Sequence, residues 1–114
     1  MRDCIFCKIV SKEMKSDIVY ENDTILAFKD INPQAPVHHL IVPKKHISTL
    51  SDCSSEDSEI IVELFLRAKE IAKNTPEVEN GYRLVINNGK EAGQEVFNLH
   101  LHLLGGRRMG WPPG

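Results

Sequence analysis

One stretch of this chain, residues 54–74 ("SSEDSEIIVELFLRAKEIAKN"), carries the period of a long helix. Ile60, Ile61, Leu64, Phe65, Ala68, Ile71 and Ala72 recur at helical spacing, and the leading serines and acids suit an N-cap and the positive end of a helix dipole. A helix with one apolar stripe must bury it, and what surrounds it reads as strands: "DIVYEND", "DTILAFKD", "VHHLIVP", "GYRLVIN" and "VFNLHLHLL". Glu21-Asn22-Asp23 suits a hairpin turn, "INPQAP" is a proline-punctuated loop, and Pro43 stops the third strand. Parallel strands would need more crossover helices than the chain supplies. The expected fold is therefore α+β: an antiparallel five-stranded sheet with one long helix. A short N-terminal helix, in which Ile5, Phe6 and Ile9 are suitably spaced, precedes it in "CIFCKIVSKEM". The 114 residues suit a single domain, 1–114.

Composition narrows the function. A formal charge of -2 gives no global pull toward nucleic acid or an anionic membrane, so neither is an expected partner. Lys44-Lys45 and Arg107-Arg108 are adjacent pairs, which fit a phosphate contact or a solvated surface. No apolar run approaches bilayer-spanning length, and "MRDCIFCKIV" lacks the apolar core of a secretory leader. Three cysteines do not make a disulfide framework, and a cytoplasmic location is the expectation.

Chemistry concentrates in "NLHLHLLGG", residues 98–106. Alternation in a strand puts Asn98, His100 and His102 on one face, with Leu99, Leu101 and Leu103 beneath the helix on the other. Same-face neighbours lie roughly 6.6 to 6.8 Å apart, a spacing that lets two imidazoles address different atoms of one small ligand. Three readings fit: a merely polar strand face, half of a metal site, or a neutral imidazole acting as nucleophile on activated phosphorus.

"EVFNLHLHLLGGRRMGWPPG" resembles the signature of the histidine triad (HIT) proteins in its Hint-type branch. "CIFCKIVSKE", "DINPQAPVHHLIVPKKHIS", "GYRLVIN" and "AGQEV" follow in the family order, so the resemblance spans nearly the whole chain and implies the HIT-like fold. It implies a hydrolase that cleaves the P–N bond of purine nucleoside 5′-phosphoramidates, or acyl-nucleotides, and releases a nucleoside monophosphate such as adenosine monophosphate. His100 would be the nucleophile that forms a nucleotidyl-histidine, and His102 would meet phosphate oxygens or the leaving group, with no metal needed for the chemistry. Two other readings stand beside it: a nucleotide- or partner-binding module with reduced catalysis, and a dinucleoside polyphosphate hydrolase, which the "WPPG" ending disfavours.

The same resemblance assigns the pocket. Asn87 and the amides around Gly93 and Gln94 match phosphate-binding positions, and Glu95 stands where relatives often carry a hydroxyl, so it is expected to turn outward or lend only its amide. Asp30 would accept the ribose hydroxyls, although a turn-initiating aspartate is the plain alternative. Phe6, Ile9, Ile18, Phe28 and Ile31 would wall the base. Trp111, in the tail, would reach toward the site of a partner subunit in a two-fold homodimer. His38 and His39 alternate faces, so at most one of them, His38, serves the site.

Asn98 departs from the family, which has a histidine there. Its main-chain carbonyl survives the change and can still orient His100, so activity is expected to persist. "CIFC" has the spacing of half a zinc site, with two free thiols as the alternative. The resemblance would complete a structural zinc from Cys4, Cys7, His46 and residue 98, and an asparagine amide is a poor fourth donor beside thiolates.

Overall fold

A computed structural model describes residues 4–114 of the chain. The first three residues of the expected 1–114 domain lie outside it. In chain order the elements are α1 (Ile5–Val10), β1 (Ile18–Glu21), β2 (Ile25–Lys29), β3 (Val37–Pro43), α2 (Ser58–Lys73), β4 (Tyr82–Val85) and β5 (Leu101–Gly105). The strands form one five-stranded sheet in the order β1-β2-β3-β5-β4, and every neighbouring pair is antiparallel. The expected α+β architecture is the one observed.

Local chemistry explains the boundaries. Asn22 closes the β1–β2 turn, its side-chain oxygen accepting from the amides of Thr24 and Ile25 at 2.8 and 2.9 Å. Ser54 and Asp57 form a capping box ahead of α2, and Lys45 pairs with Asp57 at 2.7 Å. β3 is buried along its whole length, as its unbroken apolar run requires of a central strand.

The sheet has an apolar layer on each face. On one, α2 seats Leu64, Ala68, Ile71 and Ala72 against Ile25, Ala27, Val37, Ile41 and the leucines Leu99, Leu101 and Leu103. On the other, α1 buries Phe6 and Ile9 against Leu26, Phe28, Leu40 and Val42. Burying the valines, leucines, isoleucines and phenylalanines among these is worth about 1.5–3 kcal/mol each. The two layers leave the rest of the second face open, and the cleft described below occupies it.

Two expectations need correction. Phe65 does not join the core stripe: it is 41% exposed, on an outer face of α2 with Val62 and Leu66. At about 100° per residue Phe65 falls at the edge of the arc that Leu64, Ala68 and Ile71 define, where the small Ala72 is buried and the larger ring is not. The fifth strand is also shorter than "VFNLHLHLL". Its ladder begins at Leu101, opposite Ile41, and residues 96–100 run as bends or without regular structure. Asn98 and Leu99 are paired instead with Ile47, in the connection that follows β3. No helix among the described residues is long and apolar enough to cross a membrane.

Candidate functional site

A cleft of about 570 Å³ opens on the α1 face of the sheet, with His100 and His102 in its wall. β5 supplies His102, and the irregular stretch before it supplies His100. β3 supplies His38, and Asp30 follows the end of β2.

Hydrogen bonding fixes the proton positions. The Nδ1 of His100 lies 2.7 Å from the main-chain carbonyl of Asn98. A carbonyl only accepts, so Nδ1 carries the hydrogen and the neutral ring leaves Nε2 with a free lone pair. The amide of Gln34 donates to Nδ1 of His38 at 3.0 Å, which places the His38 hydrogen on Nε2. That nitrogen stands 2.9 Å from Nδ1 of His102 and 3.4 Å from a carboxylate oxygen of Asp30. His102, accepting at Nδ1, therefore carries its hydrogen on Nε2, a buried atom with no partner of its own. The order of donors runs from Gln34 through His38 to His102.

Electrostatics keep these rings neutral. Burial, first among the causes, pushes the pKa of His100 below its ordinary value, against the Asn98 carbonyl and Asp30, which favour the charged form. Burial likewise lowers His38, with Asp30 opposing. His102 is lowered to about 4 by burial and then by the neighbouring His100 and His38. A neutral imidazole is the competent nucleophile.

The apolar end is built by α1 and β2. The Phe6 ring meets the His100 ring edge-on at 4.9 Å and Phe28 at 5.6 Å, and Ile9 completes this wall. Ile31 borders the cleft at its lip, 94% exposed. Ile18 is not in the wall: it opens the edge strand β1, opposite Phe28, and is 45% exposed. Asp30 lines the middle, and one of its oxygens accepts from the Asn32 amide at 2.9 Å.

At the other end Asn87, Gly93 and Glu95 border the cavity. Gly93 has the left-handed backbone that its residue type permits, with φ of 92°. Gln94 does not line the cleft. Its buried amide works from behind, accepting from Gly89 N at 2.8 Å and donating to the carbonyls of Ser48 and Val96 at 2.9 and 3.1 Å. Trp111 is 83% exposed and stays away from the cleft of its own chain. Gln34 and Arg107 escaped the sequence reading. The Arg107 guanidinium grips the Gln34 carbonyl at 3.1 and 3.2 Å and so holds the loop that orients His38. In the sequence only the proline-rich loop marks Gln34, and Arg107 belongs to an adjacent basic pair that fits a phosphate contact or a solvated surface.

A second cluster lies outside the cleft. The Sγ atoms of Cys4 and Cys7 and a ring nitrogen of His46 fall within 4.8 Å of one another, with Cys7 Sγ 3.1 Å from His46 Nδ1. Burial and the adjacent Cys4 push the Cys7 thiol up to about 11. These three donors suit zinc in type and proximity. The side-chain oxygen of Asn98, only 1% exposed, accepts from Ile47 N at 3.3 Å, and an amide oxygen is a poor fourth donor beside thiolates.

Comparison with known proteins places the chain. The family model of the HIT domain matches residues 11–109. The uncharacterized HIT-like protein slr1234 of Synechocystis sp. is 54% identical over 98% of this chain and 97% of its own length. The HIT family hydrolase of Legionella pneumophila superposes with a TM-score of 0.95 at 53% identity, covering 98% of this chain and 100% of that one. A Zn-bound histidine triad family protein of Mycobacterium smegmatis gives 0.83 at 33% identity, covering 99% and 81%.

The neutral imidazoles set a pH dependence. All five histidines have lowered pKa values, burial being the first cause in each. The unfolded chain takes up their protons near pH 6.5 while the folded chain resists, so stability is full above that point and falls as pH drops toward 4. Each imidazole contributes a slope of at most about 1.4 kcal/mol per pH unit. Urea midpoints are expected to be lower at about pH 5 than at about pH 7.5, and equal midpoints would contradict the neutral cluster.

Proposed function

The chain belongs to the HIT domain family, and from that premise we propose that it is a Hint-type nucleotidyl hydrolase. Its substrates are purine nucleoside 5′-phosphoramidates or acyl-nucleotides, and its product is a nucleoside monophosphate such as AMP. The observation that carries the reading is the 2.7 Å contact between His100 Nδ1 and the Asn98 carbonyl, which leaves Nε2 unprotonated beside the cleft. A hydrolase is also what the Legionella relative is described as being.

In the first step His100 Nε2 forms a bond to the α-phosphorus as the P–N bond breaks. The incoming phosphate is anionic and offsets the burial that keeps His102 neutral, so His102 gains a second hydrogen, at Nδ1, in the complex and its contact with the His38 Nε2 hydrogen gives way. Its Nε2 proton goes to the departing amine. In the second step water attacks the phosphorus of the nucleotidyl-histidine, the P–N bond to His100 breaks, and the water proton returns to His102. Asn87 and the loop at Gly93 meet the phosphate. Asp30 accepts the ribose hydroxyls, and Phe6, Ile9 and Phe28 take the base. The protein supplies chiefly positioning and charge stabilisation.

Zinc, where bound, would be held by Cys4, Cys7 and His46 and would support α1, with water completing its coordination in place of Asn98. The partner is a second copy of the chain, docked through Val62, Phe65 and Leu66 on α2 and the free edge of β4, and Trp111 of each tail reaches toward the other copy's cleft.

Incubation with adenosine 5′-phosphoramidate is expected to release AMP, and His100→Ala to abolish that release; equal rates from both proteins would sink the enzyme reading and leave the binding module standing. Elemental analysis is expected to find zinc with the purified chain, and fewer than about one ion per five chains would remove it. Sedimentation should give twice the chain mass for the wild type and the single-chain mass for Phe65→Glu. A monomeric wild type would refute the dimer.

A further inference from the structure

We propose that the side-chain amide of Asn98 is a positioning group for His100, acting through Ile47. The inference rests on His100 being the nucleophile. A trans peptide lies in one plane, within which its C=O and N–H point in opposite directions. The N–H of the peptide joining Asn98 to Leu99 donates to the Ile47 carbonyl at 2.6 Å. Its C=O must therefore point away from Ile47, and it meets His100 Nδ1 at 2.7 Å. Whatever fixes Ile47 thus fixes the direction of that carbonyl.

Ile47 is fixed by Asn98 itself. The Ile47 amide donates to the Asn98 side-chain oxygen at 3.3 Å, and that side chain is buried. Residue 47 and residues 98–99 form a closed two-bond clasp. No strand ladder shares its task, because β5 pairing begins only at Leu101. The asparagine is then a working solution at this position: it spends its oxygen on the main chain that aims the nucleophile.

The tests separate orientation from stability. Asn98→Leu keeps the approximate volume and removes the acceptor, whereas Asn98→Asp keeps an acceptor. For the leucine variant we expect a fall in kcat of up to about 100-fold with little change in KM. In ¹⁵N spectra of its His100 ring, the hydrogen should appear partly on Nε2. The aspartate variant should restore both the Nδ1–H form and most of kcat. Asn98→His should gain less than about tenfold in kcat/KM, whereas a gain of about 10³-fold would show the asparagine to be a defect and overturn the proposal. An unchanged tautomer and kcat in the leucine variant would overturn it too. Should that variant not fold, hydrogen exchange of the wild-type Ile47 amide decides: slow exchange supports the clasp, and exchange at the rate of an exposed loop amide refutes it. A wild type that releases no AMP would end the hydrolase reading, while the tautomer and exchange measurements would still decide the role of Asn98.

Discussion

The register of β3 against β5 determines where the polar groups of the cleft stand. Leu40 lies opposite His102 and Ile41 opposite Leu101. A slip of one residue would carry every side chain of a strand to the other face, exposing leucines and driving imidazoles under α2. The apolar layer beneath α2 forbids that slip, because Leu99, Leu101 and Leu103 have nowhere else to be buried. The residues that make the core thereby aim the residues that make the site. His38 reaches His102 because both belong to the same central pair of strands, so the ordered protons of the cleft follow from sheet geometry.

Much of this was legible in the sequence. Alternation in "LHLHLL" separates imidazoles from leucines by a simple period, and the spacing of Leu64, Ala68, Ile71 and Ala72 survives as the buried stripe of α2. Legibility ends where backbone pairing leaves the regular ladders. The bond between Ile47 and Leu99 joins residues that no local pattern connects, and it ended the strand earlier than the alternation suggested. The expectation for Gln94 concerned its backbone amide, and no local pattern announced that its side chain binds three loops from the rear. Ile18 has the composition of a wall residue but stands on the edge strand. Arg107 acts on a carbonyl seventy-three positions away, and no spacing rule covers such a contact.

The cleft sets two demands against each other. Burial makes the histidines neutral, which would favour attack by His100 in the proposed reaction, yet a departing amine would need a proton from the same neighbourhood. Asp30 eases this conflict, since its carboxylate favours the charged form of His38, His100 and His102 alike. An anionic ligand adds to that effect only when it is bound. The imidazoles are therefore neutral without such a ligand, and a bound anion would favour protonation of one of them.

The short helix α1 carries a further consequence. Six residues are far too few to remain helical alone in water. α1 persists because Phe6 and Ile9 are buried, and the Phe6 ring also touches His100. A planar base entering beside Phe6 would add to the surface on which the helix rests. Recognition and local folding would then draw on the same contacts: a wall that selected the base would be partly held in shape by it. An empty cleft would have the looser floor, and part of a ligand's affinity would be spent on setting that helix in place.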